Sequence, residues 1–223
     1  MINPVSLVVT LGVLVVGITV HEFSHCLVAR MLGDRTAERM GRLTLNPLAH
    51  LDPMGTLMIL ISAFSGFGIG WGKPAPVSPW NLRPRGRVGM ALVALGGPLS
   101  NLALAVLVAL AVRLAAPMTG LAGLVLIQAM LLNVGLAAFN LLPLPMLDGF
   151  HVLMGVLASI KARWAYSLGG QLERLEPHGP MILLILVMLG AVMRGGPAPL
   201  TLLMTPVFRT LARLVSLVTG VGL

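Results

Sequence analysis

Between Pro4 and Val20 the chain carries no charge, and the stretch that follows, ITVHEFSHCLVARM (Ile18–Met31), stays apolar apart from His21, Glu22, His25 and Arg30. As a helix, Pro4 to Met31 is long enough to cross a hydrocarbon core of about 30 Å. The run is no signal peptide, because it lacks a basic n-region and its apolar stretch is too long. Ionisable groups at membrane depth cost several kcal/mol each unless paired, coordinated or hydrated, so His21, Glu22 and His25 are functional candidates.

Two histidines four apart lie one above the other on a helix face, so both imidazoles can reach one metal ion. Glu22 stands beside them. H-E-x-x-H is the spacing of two zinc ligands and a general base that takes a proton from water. A lone histidine in an apolar helix is more often a hydrogen-bonded core residue. Three such groups together at hydrocarbon depth favour a metal site.

The rest of the composition agrees with a membrane protein. The 223 residues are 57% hydrophobic and 10% charged, with a mean hydropathy of +0.96. That excludes an ordinary soluble domain and leaves room for five or six spans with short loops. The net charge of +8 is carried in the connections, where it reports orientation and contact with the lipid bilayer. No aromatic-interleaved basic patch points to nucleic acid. Cys26 is the one cysteine, so an internal disulfide and a cysteine-based zinc site are both excluded.

Along the chain, Arg30, Arg35, Arg39 and Arg42 follow the first span and no basic residue precedes it. This puts the amino terminus outside and His21 and His25 in the cytoplasmic half. The apolar segment 54–70 is short, glycine-rich at its end and flanked by basic loops on both sides. It reads as a re-entrant or membrane-dipping segment, with an ordinary short span as the alternative. Residues 72–87, with four prolines, form an extended loop. Spans are expected at 88–115 and 121–142. The first holds Gly96, Gly97, Pro98 and Asn101, either a packing device or a wall of the site. In the second, Asn133 and Asn140 share a face. Pro143 and Pro145 then force an extended corner, 143–149, in front of Asp148, which is placed to cap the next helix. Residues 161–223 supply C-terminal helices. Arg209 and Arg213 make 200–223 as plausible on the membrane surface as across it.

A zinc hydrolase needs a third protein ligand. Asp148 is favoured, on its stiff corner, with His50 and Asp52 as runners-up. His151, one turn after Asp148, is a candidate to support the site or an interfacial polar residue, and His178 reads as a loop residue.

HEFSH (21–25), GPLSN (97–101) and NLLPLPMLDG (140–149), in this order, resemble the site-2 protease family of intramembrane zinc metalloproteases, and the likeness covers residues 4 to about 160. The resemblance implies an all-α polytopic membrane protein with a three-helix catalytic core. It implies that His21, His25 and Asp148 bind Zn2+, that Glu22 is the catalytic base and that Asn140 lies near the site. Asn101 and Asn133 are weaker candidates for supporting or substrate contacts. The activity implied is regulated intramembrane proteolysis of a protein with a transmembrane helix, in a bacterial inner membrane. No PDZ-like insertion is present, no helix precedes the H-E-x-x-H helix, 54–70 stands where many members carry strands, and Phe150 follows the Asp-Gly pair where a second glycine is common. The competing reading is a zinc-binding membrane protein without catalysis, such as a metal transporter, whose ligands should be spread along a route through the bilayer.

Overall fold

The computed structural model describes residues 4–65, 70–114, 120–193 and 198–221. Among these the regular elements are helical: α1 (Pro4–Met31), α2 (Thr36–Arg39), α3 (Pro53–Ser65), α4 (Arg87–Leu114), α5 (Gly120–Asn140), α6 (Asp148–Ser159), α7 (Arg163–Glu173), α8 (Gly179–Val192) and α9 (Pro199–Thr219). The chain is an all-α polytopic membrane protein. Helices α1, α4, α5 and α9 are long and apolar enough to cross a membrane. Residues 66–69 of the expected membrane-dipping segment, and 116–119 of the loop expected between α4 and α5, lie outside the described residues.

The boundaries follow local chemistry. α1 opens on Pro4, whose missing N–H is not needed in a first turn. It closes at Gly33, which takes φ +101°, while the Asp34 N–H reaches back to the Ala29 carbonyl. That is the glycine stop of a Schellman-type end. α9 ends the same way at Gly220, φ +70°, and Arg113 at the end of α4 donates to its last carbonyl, Thr219 O, at 2.8 Å. Over the described residues α3 and α8 have 13 and 14 residues, each about 20 Å of helix. The extended 72–87 region carries no helix before Arg87 and, among the described residues, makes the isolated antiparallel bridge Leu51–Gly72.

α1, α4 and α5 pack on one another, α6 lies along α4, and α9 closes over α4 and α5. The shared core of α4, α5 and α9 is built largely from small residues: Ala105, Ala109, Ala137, Ala138 and Ala212, with Met130, Val134, Leu211 and Val215. In lipid, where apolar contact alone does not favour association, small side chains let backbones approach and gain dispersion. The C-terminal α9 is thereby part of the same packed body as the α1–α6 region. At the other end, Arg87 forms a paired contact with Glu173, Nε to Oε1 at 2.9 Å, tying the start of α4 to α7.

One local expectation is corrected. Asp148 does not cap α6. Leu147 occupies the capping position, with φ −97° and ψ 157° and no side-chain cap, and Asp148 is the first helical residue. The reason is the turn before it: Met146 sits at φ +70°, an uncommon conformation for a non-glycine residue. The carboxylate is thereby freed from the helix end.

Candidate metal centre

Each histidine presents the same nitrogen. His21 Nδ1 lies 2.7 Å from Asn101 Oδ1, and His25 Nδ1 lies 2.8 Å from the Val93 carbonyl. A carbonyl only accepts, so both Nδ1 atoms carry a proton, and in the neutral ring each Nε2 keeps the lone pair a metal would use. The amide orientation follows from a chain of fixed partners. Asn133 Nδ2 donates to the Ala129 carbonyl at 2.8 Å. Asn101 Nδ2 donates to Asn133 Oδ1 at 2.9 Å and to the Gly17 carbonyl at 3.1 Å. Asn101 Oδ1 is therefore the atom left for His21.

The two Nε2 atoms stand 3.0 Å apart. Asp148 Oδ2 is 3.1 Å from His21 Nε2, and Asp148 Oδ1 is 3.3 Å from His25 Nε2. One ligand atom from each of the three residues lies within 4.8 Å of the others. Both histidines are buried. Two imidazole Nε2 atoms and a carboxylate facing one point suit a bound cation, and two nitrogens and one oxygen suit zinc. Asp148 Oδ2 and Glu22 Oε2 are also buried without a hydrogen-bond partner among the described residues. The donor set fits zinc.

α4 forms the floor of this site. A Cβ at Gly97 would stand 2.4 Å from His25 Nε2 and 2.6 Å from His21 Nε2, so only glycine lets the helix backbone lie against both rings. Pro98 has no N–H for the carbonyl four residues back, which loosens the turn. The neighbouring Val93 carbonyl is the acceptor that His25 uses. α6 is brought in as closely: a Cβ at Gly149 would stand 2.2 Å from the Leu141 carbonyl oxygen.

The remaining candidates have other surroundings. Asn101 and Asn133 are fully buried in the amide chain behind His21. Asn140, the last residue of α5, donates Nδ2 to the Leu136 carbonyl at 2.9 Å. His151 packs edge-on to Phe150, and its imidazole makes no hydrogen bond among the described residues. His50 is buried, with Nε2 at 2.7 Å from the Thr44 carbonyl. Asp52 Oδ1 accepts from Gly55 N–H at 2.8 Å, capping α3. Neither runner-up belongs to the cluster. Of the two readings the sequence left open for Gly97, a packing device or a wall of the site, its approach to both rings supports the wall; Arg42, read only as a loop charge, is buried and donates to the Lys73 and Pro74 carbonyls. The GPLSN motif was the signal for Gly97; nothing in the sequence marks Arg42.

Residues 114–171 match the family described as Peptidase family M50. That match includes Asp148 but not the His21–His25 motif. Relatives whose names class them as zinc metalloproteases extend the likeness. YwhC of Bacillus subtilis (strain 168) is 38% identical over 193 residues, covering 82% of each chain. Rip2 of Mycolicibacterium smegmatis (strain ATCC 700084 / mc(2)155) is 35% identical over 164 residues, 68% of this chain and 60% of that protein. No solved structure matches the chain at a significant level. With the family matched around Asp148 and most of YwhC aligned to this sequence, the chain belongs to Peptidase family M50, the site-2 proteases, and is an intramembrane zinc metalloprotease.

Proposed function

We propose that His21, His25 and Asp148 hold the catalytic zinc, that Glu22 is the general base, and that the site faces the cytoplasmic side of a bacterial inner membrane. The observation that carries the reading is the meeting of three ligand atoms within 4.8 Å beside a buried Glu22 oxygen with no partner among the described residues. Zinc supplies Lewis acidity there, toward an attacking water and toward the substrate carbonyl. Glu22 takes the proton that the water loses and returns it to the amine nitrogen as the C–N bond breaks. Asn140 spends one N–H on Leu136 O; the other is available to the oxygen that gains charge. Asn101, backed by Asn133, holds the His21 ring in its ligating tautomer. His151, one turn from Asp148, is assigned a supporting role only.

Site-2 proteases act on membrane-embedded substrates. Here the substrate is a protein with a transmembrane helix, unwound locally so that its peptide bond can reach the zinc. The 54–87 region, with its glycines and prolines, is our candidate for the clamp or gate that receives it. Support for the orientation comes from Arg30, Arg35, Arg39 and Arg42 after α1, and bacterial relatives support the membrane. The transporter reading is not favoured, because the candidate ligands meet at one point rather than along a route.

The test compares wild type with Glu22→Gln in lipid nanodiscs, on a tagged single-span reporter. The expected result is zinc at wild-type stoichiometry and cleavage lowered by at least ~100-fold. Equal cleavage by the two proteins would remove Glu22 from its role. Fragments that disappear from bacterial membranes on the same substitution would name the natural substrates.

A further inference from the structure

Arg42 is only 6% exposed and has no carboxylate within salt-bridge distance among the described residues. Its Nε is buried without a hydrogen-bond partner there. A guanidinium is costly to bury in this way, so its contacts need an explanation. Nη2 donates to two successive backbone carbonyls, Lys73 O at 2.5 Å and Pro74 O at 3.3 Å. The Lys73 N–H is held from the same 42–50 segment, by the His50 carbonyl at 2.7 Å. Both backbone groups of Lys73 are thus engaged by residues that follow the exit of α1.

The residue before this double grip is Gly72, bridged to Leu51. The Lys73 N–H to His50 O bond makes Leu51–Gly72 the non-hydrogen-bonded kind of antiparallel pair, so the bridge does not use the N–H or C=O of Gly72. A Cβ at Gly72 would stand 2.9 Å from Ile18 Cγ2 and 3.6 Å from Glu22 Oε1. The segment is therefore pressed on the α1 face that carries Glu22, with backbone as the wall beside the carboxylate.

We propose that Arg42 is a positioning residue for the reaction: it latches Lys73 and Pro74 so that the Gly72 backbone walls in Glu22 and keeps its carboxylate turned toward the zinc. The inference rests on the reading of Glu22 as the base. A carboxylate with a buried, unpartnered oxygen has no hydrogen bond of its own there to hold its rotamer, so its direction depends on what packs beside it. Lysine offers a single charged point in place of the guanidinium's planar fork and cannot span two carbonyls in the same way.

The test uses the full chain in nanodiscs, as wild type, Arg42→Lys, Arg42→Ala and Glu22→Gln, loaded with zinc. The measurements are zinc content, folded fraction, amide exchange at Lys73, carbodiimide labelling of Glu22, and kcat and KM on the tagged single-span reporter. For Arg42→Ala the expected result is wild-type zinc and folded fraction, exchange and labelling each at least about fivefold faster, and kcat about tenfold lower with KM within about twofold. Arg42→Lys should fall between. Unchanged exchange and labelling would overturn the latch, and so would a loss of activity that merely tracks lost zinc or lost fold. If wild type and Glu22→Gln cleave the reporter equally fast, the base assignment fails, and exchange at Lys73 with labelling at Glu22 still decides whether Arg42 holds the wall.

Discussion

Asn101 Oδ1 lies 2.7 Å from His21 Nδ1, eighty positions away along the chain, and its direction is fixed by the amide of Asn133 behind it. Outer partners of this kind set the tautomer and direction of a ligating imidazole. Asn101→Leu is expected to weaken zinc binding by about 10- to 100-fold, measured by competition with a chelator. Asn133→Leu acts one step further out and should cost less. Equal affinity in Asn101→Leu and wild type would show that His21 needs no such partner.

The third ligand is separated from its rivals by a parallel pair of variants. Asp148→Ala should lose most of its zinc by metal analysis of the purified protein. Asp52→Ala should keep it and lose about 1 kcal/mol of stability, the usual worth of a helix cap. Full zinc occupancy in Asp148→Ala would defeat the assignment.

Gly97→Ala adds one methyl group at 2.4 to 2.6 Å from the two rings. The expected outcome is loss of zinc and of cleavage together. Gly12→Ala is the matched control, since its added Cβ meets nothing within 4 Å. That variant should retain zinc and gain a few tenths to about 1 kcal/mol of helix stability.

Asp34 anchors the same loop region at a second place. Its carboxylate is buried and accepts from Thr36, from Ser78 N–H at 2.7 Å and from Asn81 Nδ2 at 3.1 Å. Burial acts to raise its pKa, but these donors outweigh it and hold the pKa below the ordinary carboxylate value. A depressed folded-state pKa means that the stabilisation is complete above the unfolded value of about 3.9 and is lost as the pH falls through the lower folded-state value. Limited proteolysis of the 72–86 loop should accordingly accelerate on acidification below about pH 4 in wild type. Asp34→Asn should be more readily cut than wild type at neutral pH and show less change in acid.

What could be read from the sequence was what is local. The four-residue spacing of His21 and His25 is a property of one helix, and the long apolar runs located α1, α4 and α5 to within a residue or two. Asp148 could be favoured because prolines stiffen its corner, yet its place in α6 was misjudged, since the left-handed turn at Met146 has no signature in PLPML. Gly97 and Asn101 could be named as candidates but not given their partners, and Arg42 escaped, for a common reason. Each acts on a residue that is distant in sequence, through backbone approach or a hydrogen bond that exists only once α4 or the 72–74 segment is laid against α1. A loop arginine and a buried one look alike as letters. His50 and Asp52 were reasonable rivals until the fold assigned one to a backbone carbonyl and the other to the start of α3.

The proposed ligands are divided between α1 and a corner 123 residues after His25. At a synthesis rate of about 5–20 residues per second, the histidines wait roughly 6 to 25 seconds for Asp148 to leave the ribosome. During that interval the nascent helix must be stored in lipid, or beside the insertion machinery, with two imidazoles and a carboxylate unmet. On the proposed ligand set, hydrolytic power waits for α6, and the order of translation itself keeps a half-made protease from cutting its neighbours.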